Sequence, residues 1–133
     1  MTASRWLLIL LSMLCLGAAQ QKTYVTRYLS DFSGPQVHKD PASGTLLYIE
    51  SDGRHVAAIS QDGKLLWNRD PYMDAHLKFY RTEKPQIVYI GPALKIQIPA
   101  GEKPEKFVAI SFNNSQSGII RISDGEFYFS GQD

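Results

Sequence analysis

The chain carries one cysteine, two tryptophans and three methionines in 133 residues, and its formal net charge is only +1. A single cysteine cannot close an internal disulfide, and it excludes a four-thiol zinc site. Balanced charge leaves no surplus of Lys and Arg for a phosphate backbone, so no nucleic acid is expected as partner. Long apolar runs are missing as well, apart from Trp6 to Leu16. What is present, 44% hydrophobic, 11% aromatic and 20% charged residues, is the composition of an ordinary folded domain, not of a disordered tail or a fibre.

The exceptional run follows Arg5 and is succeeded by Gly17-Ala18-Ala19, small residues suited to a cleavage site before Gln20. That order reads as a signal peptide over residues 1–19. A spanning helix would need roughly 20 apolar residues, and Gln20, Gln21 and Lys22 arrive too soon, which leaves an uncleaved anchor as the alternative. Cys15 lacks the surroundings of a lipid attachment site and departs with the leader. Loss of Arg5 takes one from the 14 basic residues and makes them equal in number to the 13 acidic ones. The expected product is an exported domain over residues 20–133, periplasmic or secreted, with no stable membrane insertion. It would hold together by apolar burial rather than by the disulfides common in small exported domains.

Strand signals dominate that domain. Leu46 to Glu50, His55 to Ser60 and Leu65 to Trp67 are short apolar runs joined at Asp52-Gly53 and Asp62-Gly63. Asp-Gly tolerates the positive φ of a type I′ turn, so residues 46–67 read as a three-stranded meander. Residues 106–130 repeat the plan: Lys106 to Phe112, Gly118 to Ile122 and Glu126 to Ser130, with turns at Asn113–Gln116 and Asp124-Gly125. Leu47 and Ile49 overlay Val108 and Ile110; Ile59 overlays Ile122; Leu65 and Trp67 overlay Phe127 and Phe129. Internal duplication explains this, and so does shared turn chemistry alone. Between the meanders, Asp70-Pro71 suits a helix start, and Met73, Leu77 and Tyr80 form a stripe, predicting one short helix near 71–82. Gln86 to Ile90 reads as a strand broken by Gly91-Pro92, Leu94 to Ile98 as a half-buried strand, and 99–104 as a polar loop. Tyr24 to Leu29 alternates as a first strand, and 30–45 reads as a long loop. The expected fold is all-β: two antiparallel meanders packed as a small sandwich or blade-like pair.

The wording Tyr48, Asp52-Gly53, Ala58-Ile59, Gly63-Lys64 and Leu66-Trp67 resembles a single blade motif of the quinoprotein-type (PQQ-like) β-propellers. The second meander matches it loosely through Ile122, Gly125 and Phe129. The resemblance implies twisted antiparallel packing with a buried Trp; it implies no quinone and brings no catalytic residues. A closed propeller needs at least four blades, more than this length provides.

Chemistry-bearing patterns are sparse. Nothing matches a Gly-x-Ser-x-Gly elbow or a Gly-rich phosphate loop. His38-Lys39-Asp40 is the one close His/carboxylate pair, and turn formation before Pro41 accounts for Asp40. His55 reads as a solvated strand residue, and no metal site or cofactor is expected. Asp70 and Asp74 share a helix face at i, i+4, and the favour a helix start gives to acids accounts for them better than paired carboxylates for glycoside cleavage do. Residues 78–106 carry a local positive excess, and Asn113-Asn114-Ser115 is an acceptor sequence for glycosylation. The best surface lies in the centre. Trp67, Met73, Leu77 and Tyr80 are expected in the core, leaving Arg69, Tyr72, His76 and Arg81 as the candidate binding residues. The expected function is non-catalytic contact with another protein, as an inhibitor, immunity-like factor or envelope assembly component. A small-ligand or carbohydrate-binding module is the alternative, and a hydrolase using His38 and Asp40 with Asp70 and Asp74 is a minor one.

Overall fold

The structure, a computed structural model, describes residues 36–133. The leader, and the first strand expected at Tyr24–Leu29, lie outside the described residues. No helix among the described residues is long and apolar enough to cross a membrane.

The fold is all-β. The first sheet is an antiparallel meander of four strands in chain order: β1 (Val37–Lys39), β2 (Leu46–Ile49), β3 (Val56–Ile59) and β4 (Leu65–Arg69). The second has the same order: β5 (Ile87–Pro92), β6 (Phe107–Phe112), β7 (Ser117–Arg121) and β8 (Phe127–Gly131). A one-turn helix, α1 (Pro71–Asp74), lies between them. Both expected meanders are present, and each gains a strand at its leading edge.

Alternation along the strands decides what is buried. Leu47, Ile49, Val56, Ala58 and Trp67 of the first sheet meet Ile87, Val108, Ile110, Phe112 and Ile120 of the second, with Tyr72 and Ile122 completing the layer. Leu47 and Ile49 turn into the same layer as Val108 and Ile110, the residues that overlay them in sequence. Ring edges meet faces along it: Tyr72 on Phe112 at 5.8 Å and Phe112 on Phe127 at 6.1 Å between centroids. Trp67, expected inside, is 8% exposed; its indole Nε1 donates to the Ile122 carbonyl at 2.8 Å, across the sandwich.

The Asp-Gly turns depart from the expected type I′ geometry. Gly53, Gly63 and Gly125 have φ of 70°, 88° and 77°, but none of the preceding aspartates is at positive φ. Asp52 works through its side chain instead: Oδ1 accepts from Arg54 N at 2.8 Å and His55 N at 3.1 Å. Asp124 Oδ1 likewise accepts from Glu126 N at 3.1 Å. These are Asx-type closures followed by a left-handed glycine.

Four expectations are corrected. Residues 30–45 were expected as loop, yet Val37–Lys39 form β1, recruited by its ladder to β2 rather than by any pattern of its own. Asp70 does cap the helix, accepting from Met73 N at 3.1 Å with Pro71 in the first turn, but the helix ends at Asp74 and does not extend to 82. His76 then takes φ 50° and the stripe fails: Tyr72 is 7% exposed and Met73 56%, the reverse of the expected assignment. β5 continues through Gly91-Pro92, which an edge strand tolerates because proline there withholds no needed donor. Leu94 to Ile98 is no strand: Lys95–Gln97 make a 3₁₀ turn, Gln97 Oε1 accepts from Leu94 N, and Ile96 is 91% exposed. Ile98 and Ala93 instead cover the outside of the second sheet, packing with Tyr128 against Phe107, Ala109 and Ile119.

Burial therefore separates two isoleucines of the second half. Ile120 is fully buried in the inter-sheet layer, so Ile120→Ala should cost about 2–5 kcal/mol in urea unfolding. Ile96→Ala, at a 91% exposed position, should change it by less than about 0.5 kcal/mol.

Candidate functional site

The four residues expected to form a binding patch are not brought together. Tyr72 belongs to the core, which corrects its assignment to the surface; its hydroxyl donates to the Lys78 carbonyl at 3.4 Å. Arg69 is exposed, and its Nε donates to the Asp124 carbonyl in the β7–β8 turn. Arg81, with φ 60°, donates through Nη2 to the Asp133 carbonyl at 3.1 Å, and Tyr80 holds the same oxygen. β8 separates those two anchors, and at ~3.4 Å per residue its length puts them at opposite ends of the sheet. His76 is exposed and makes no side-chain hydrogen bond among the described residues.

The residues of the hydrolase alternative are occupied by local structure. Asp40 is 6% exposed and accepts from Ser43 N at 2.9 Å and Ser43 Oγ at 2.5 Å, the turn role its place before Pro41 suggests. Burial raises the Asp40 pKa, but the Ser43 bonds outweigh it and the net direction is down. Asp70 divides its carboxylate between the helix cap and Arg54, whose Nη2 lies 2.6 Å away. His38 shares a face with Leu47 and is half-buried.

Glu50, Asp52 and His55 bring one ligand-type atom each within 4.8 Å of one another. The grouping has a local explanation. His55 Nδ1 lies 2.5 Å from Asp52 Oδ2, and Glu50 Oε1 accepts from Asn68 Nδ2 at 2.6 Å. Burial works against the Asp52 charge, but the Arg54 and His55 N–H groups and the His55 ring prevail and lower its pKa to about 2. The bond to Asp52 raises the His55 pKa, burial opposes it, and the charges of Asp52, Asp70 and Glu50 add to the rise. His55 is thus half-buried and paired, not simply solvated.

The feature that sequence reading missed is the outer face of the first sheet. Directly paired residues share a face, so Val37, Tyr48, Ala57 and Asn68 form one row and Lys39, Leu46, Ile59 and Leu65 the next. The register shifts between Ala58 and Ile59, a bulge that sets both Leu65 and Leu66 opposite Ile59. Val37, Leu65 and Leu66 are 56%, 63% and 51% exposed, and Leu46, Tyr48 and Ile59 half-buried. An antiparallel sheet with one solvated face normally alternates polar-out; this one is apolar on both faces. The second sheet solves the same problem with the long β5–β6 connection described above. The β1–β2 connection spans only residues 40–45, and among the described residues nothing equivalent roofs the first sheet. Two successive leucines before Trp67 were the signal available in the sequence, since one of them had to face outward.

Comparison with known proteins found no match to this chain among protein-family models, curated proteins or solved structures.

The pH behaviour of the Asp52–His55 pair is testable. The raised His55 pKa contributes stability that is complete below about pH 6.5 and is lost as pH climbs through the folded-state value. The lowered Asp52 pKa contributes above about pH 4 and is lost as pH falls towards 2. Thermal unfolding from pH 5 to 9 should therefore show a small decline in Tm on the alkaline side that Asp52→Asn abolishes. Equal slopes in both proteins would show that the pair is not coupled to folding.

Proposed function

We propose that this chain is an exported, non-catalytic binding domain whose first sheet docks on another protein. The observation that carries the reading is the apolar outer face built from Val37, Leu46, Tyr48, Ile59, Leu65 and Leu66, which nothing among the described residues roofs as the second sheet roofs its own. Contiguous exposed apolar surface with a polar edge favours a macromolecular partner over a small ligand, which needs concavity. Lys39, Glu50 and Asn68 supply that edge. The engagement of Asp40 and Asp70 in a turn and a cap supports a non-catalytic role, as does the pairing of His55 with Asp52. Export rests on the pattern of residues 5–19.

Leu66→Glu places a carboxylate on this face, on the edge strand β4, without touching the inter-sheet core. The wild-type protein and the variant, immobilised side by side, should differ in one protein retained from the producing cell's envelope fraction. That protein, purified, should bind wild type in calorimetry and lose at least tenfold in affinity for the variant, about 1.4 kcal/mol. Equal retention by both would overturn the reading. So would concentration-dependent self-association in sedimentation that Leu66→Glu removes, because the occupant would then be a second copy.

A further inference from the structure

A cavity among the described residues lies away from that face, at one end of the second sheet. It has a volume of about 750 Å³ and forms where the β6–β7 turn and the end of β8 come together beside the start of β5. Its apolar wall is Val88, Tyr89 and Phe112; its polar wall is Ser111, Ser115, Ser117 and Ser130 with Gln132. Ser111 and Ser117 are direct cross-strand partners, so their side chains emerge side by side on one face. The volume falls in the range of about 300–1,000 Å³ typical of small-molecule sites.

The wall is held by a buried amide network. Asn114 is fully buried; its Nδ2 donates to the Tyr80 carbonyl at 3.0 Å and to Gln116 Oε1 at 2.7 Å, while its Oδ1 accepts from Gln116 N at 3.0 Å. Gln116, 2% exposed, donates through Nε2 to the Lys78 carbonyl at 3.3 Å and to Gln132 Oε1 at 3.1 Å. The turn is tight enough to hold Ser115 at φ 71°, a conformation non-glycine residues seldom adopt. On the opposite side, the phenol end of Tyr89 rests over Gly91, where any Cβ would collide with the Tyr89 hydroxyl. Glycine at 91 is what allows the ring to lie along the strand.

Among the described residues, the hydroxyls of Ser111, Ser117 and Ser130 and the phenol of Tyr89 make no hydrogen bond. Each can donate and accept. The lining contains no Lys, Arg, His or Cys, which leaves nothing to neutralise a phosphate or to ligate a soft metal, and Asp133 is its single charged residue. Unpaired neutral hydroxyls beside an exposed aromatic ring match the chemistry of a sugar, which offers hydroxyls around an apolar C–H face. We propose that this cavity binds a neutral, hydroxyl-rich small molecule of mono- or disaccharide size, with Ser111, Ser117 and Ser130 as hydrogen-bonding groups and Tyr89 as the stacking platform. The proposal is independent of docking on the first sheet.

The test is a titration of the isotope-labelled protein with glucose, galactose, mannose, N-acetylglucosamine and cellobiose in turn, read by amide chemical shifts. At least one should give saturable shifts at residues 111, 117, 130 and 132 with a Kd of about 1 mM or tighter. Ser117→Val should weaken it at least tenfold, and Ser130→Ala, on the exposed edge strand, gives a second reading if the first variant folds poorly. Ser123→Ala, in the β7–β8 turn outside the cavity, should bind as wild type does. The proposal is overturned if no sugar gives saturable shifts. It is equally overturned if the shifts map outside the cavity, or if both cavity variants bind unchanged.

Discussion

The contact on which the rest of this structure depends is the seat of Trp67 in the β7–β8 turn. Its ring lies so close to Gly125 that a Cβ there would come within 2.7 Å of it, and its Nε1–H reaches the Ile122 carbonyl. One side chain thereby fixes the far edge of the first sheet to a particular turn of the second and satisfies a backbone acceptor beyond the end of β7. At the other edge Gln36 does a related job, donating through Nε2 to the Val88 carbonyl while its own carbonyl accepts from Ile49 N. Between these ties the layer of Leu, Ile, Val and Phe needs no covalent staple. Residue 125 meets two demands at once, a left-handed backbone and space for an indole, and glycine is the one residue that meets both.

The fold was legible in the sequence to the extent that periodicity two and turn chemistry set it. β2, β3, β4, β6, β7 and β8 were readable because apolar alternation agrees there with turn punctuation, Asp-Gly at three of the turns and Asn113–Gln116 at the fourth. β1 and the end of β5 were not, because edge strands draw their conformation from a ladder to a neighbour, and Val37–Lys39 carries no alternation that could reveal it. The helix failed for a related reason. Met73, Leu77 and Tyr80 have helical spacing, yet Tyr72 pairs with Phe112, which fixes the opposite side of the turn inward. Four residues cannot outweigh one well-seated aromatic. Leu94, Ile96 and Ile98 look like a strand by alternation, but Gln97 satisfies the Leu94 amide locally and no strand among the described residues competes for it.

The candidate surfaces were less visible, for reasons that differ. Arg69 and Arg81 are near in sequence and far apart in space because the chain between them leaves one sheet and enters the other. A patch argued from sequence proximity assumes a continuous element, and the left-handed residues His76 and Arg81 break it. The serine cavity draws its lining from four strands and a turn, a convergence no local window contains. Its one sequence trace was the polar run Asn113–Gln116. That run reads as a solvated hairpin tip, whereas Asn114 and Gln116 are buried and tie it to Tyr80, Lys78 and Gln132.

The two halves share a strand order but, among the described residues, differ in what covers their outer faces, and connection length contributes to the difference. A tight β1–β2 turn closed by Asp40 and Ser43 leaves no chain to spare, whereas 93–106 is long enough to fold back over its own sheet. On the first sheet, no segment among the described residues covers the apolar outer face. Exposed apolar sheet surface is costly in water, and the contrast, among the described residues, with a half that covers its own supports the proposal of a docking partner. The bulge at Leu65-Leu66 points the same way: it doubles the apolar side chains on the open face at the one position where a regular ladder would have turned one of them inward.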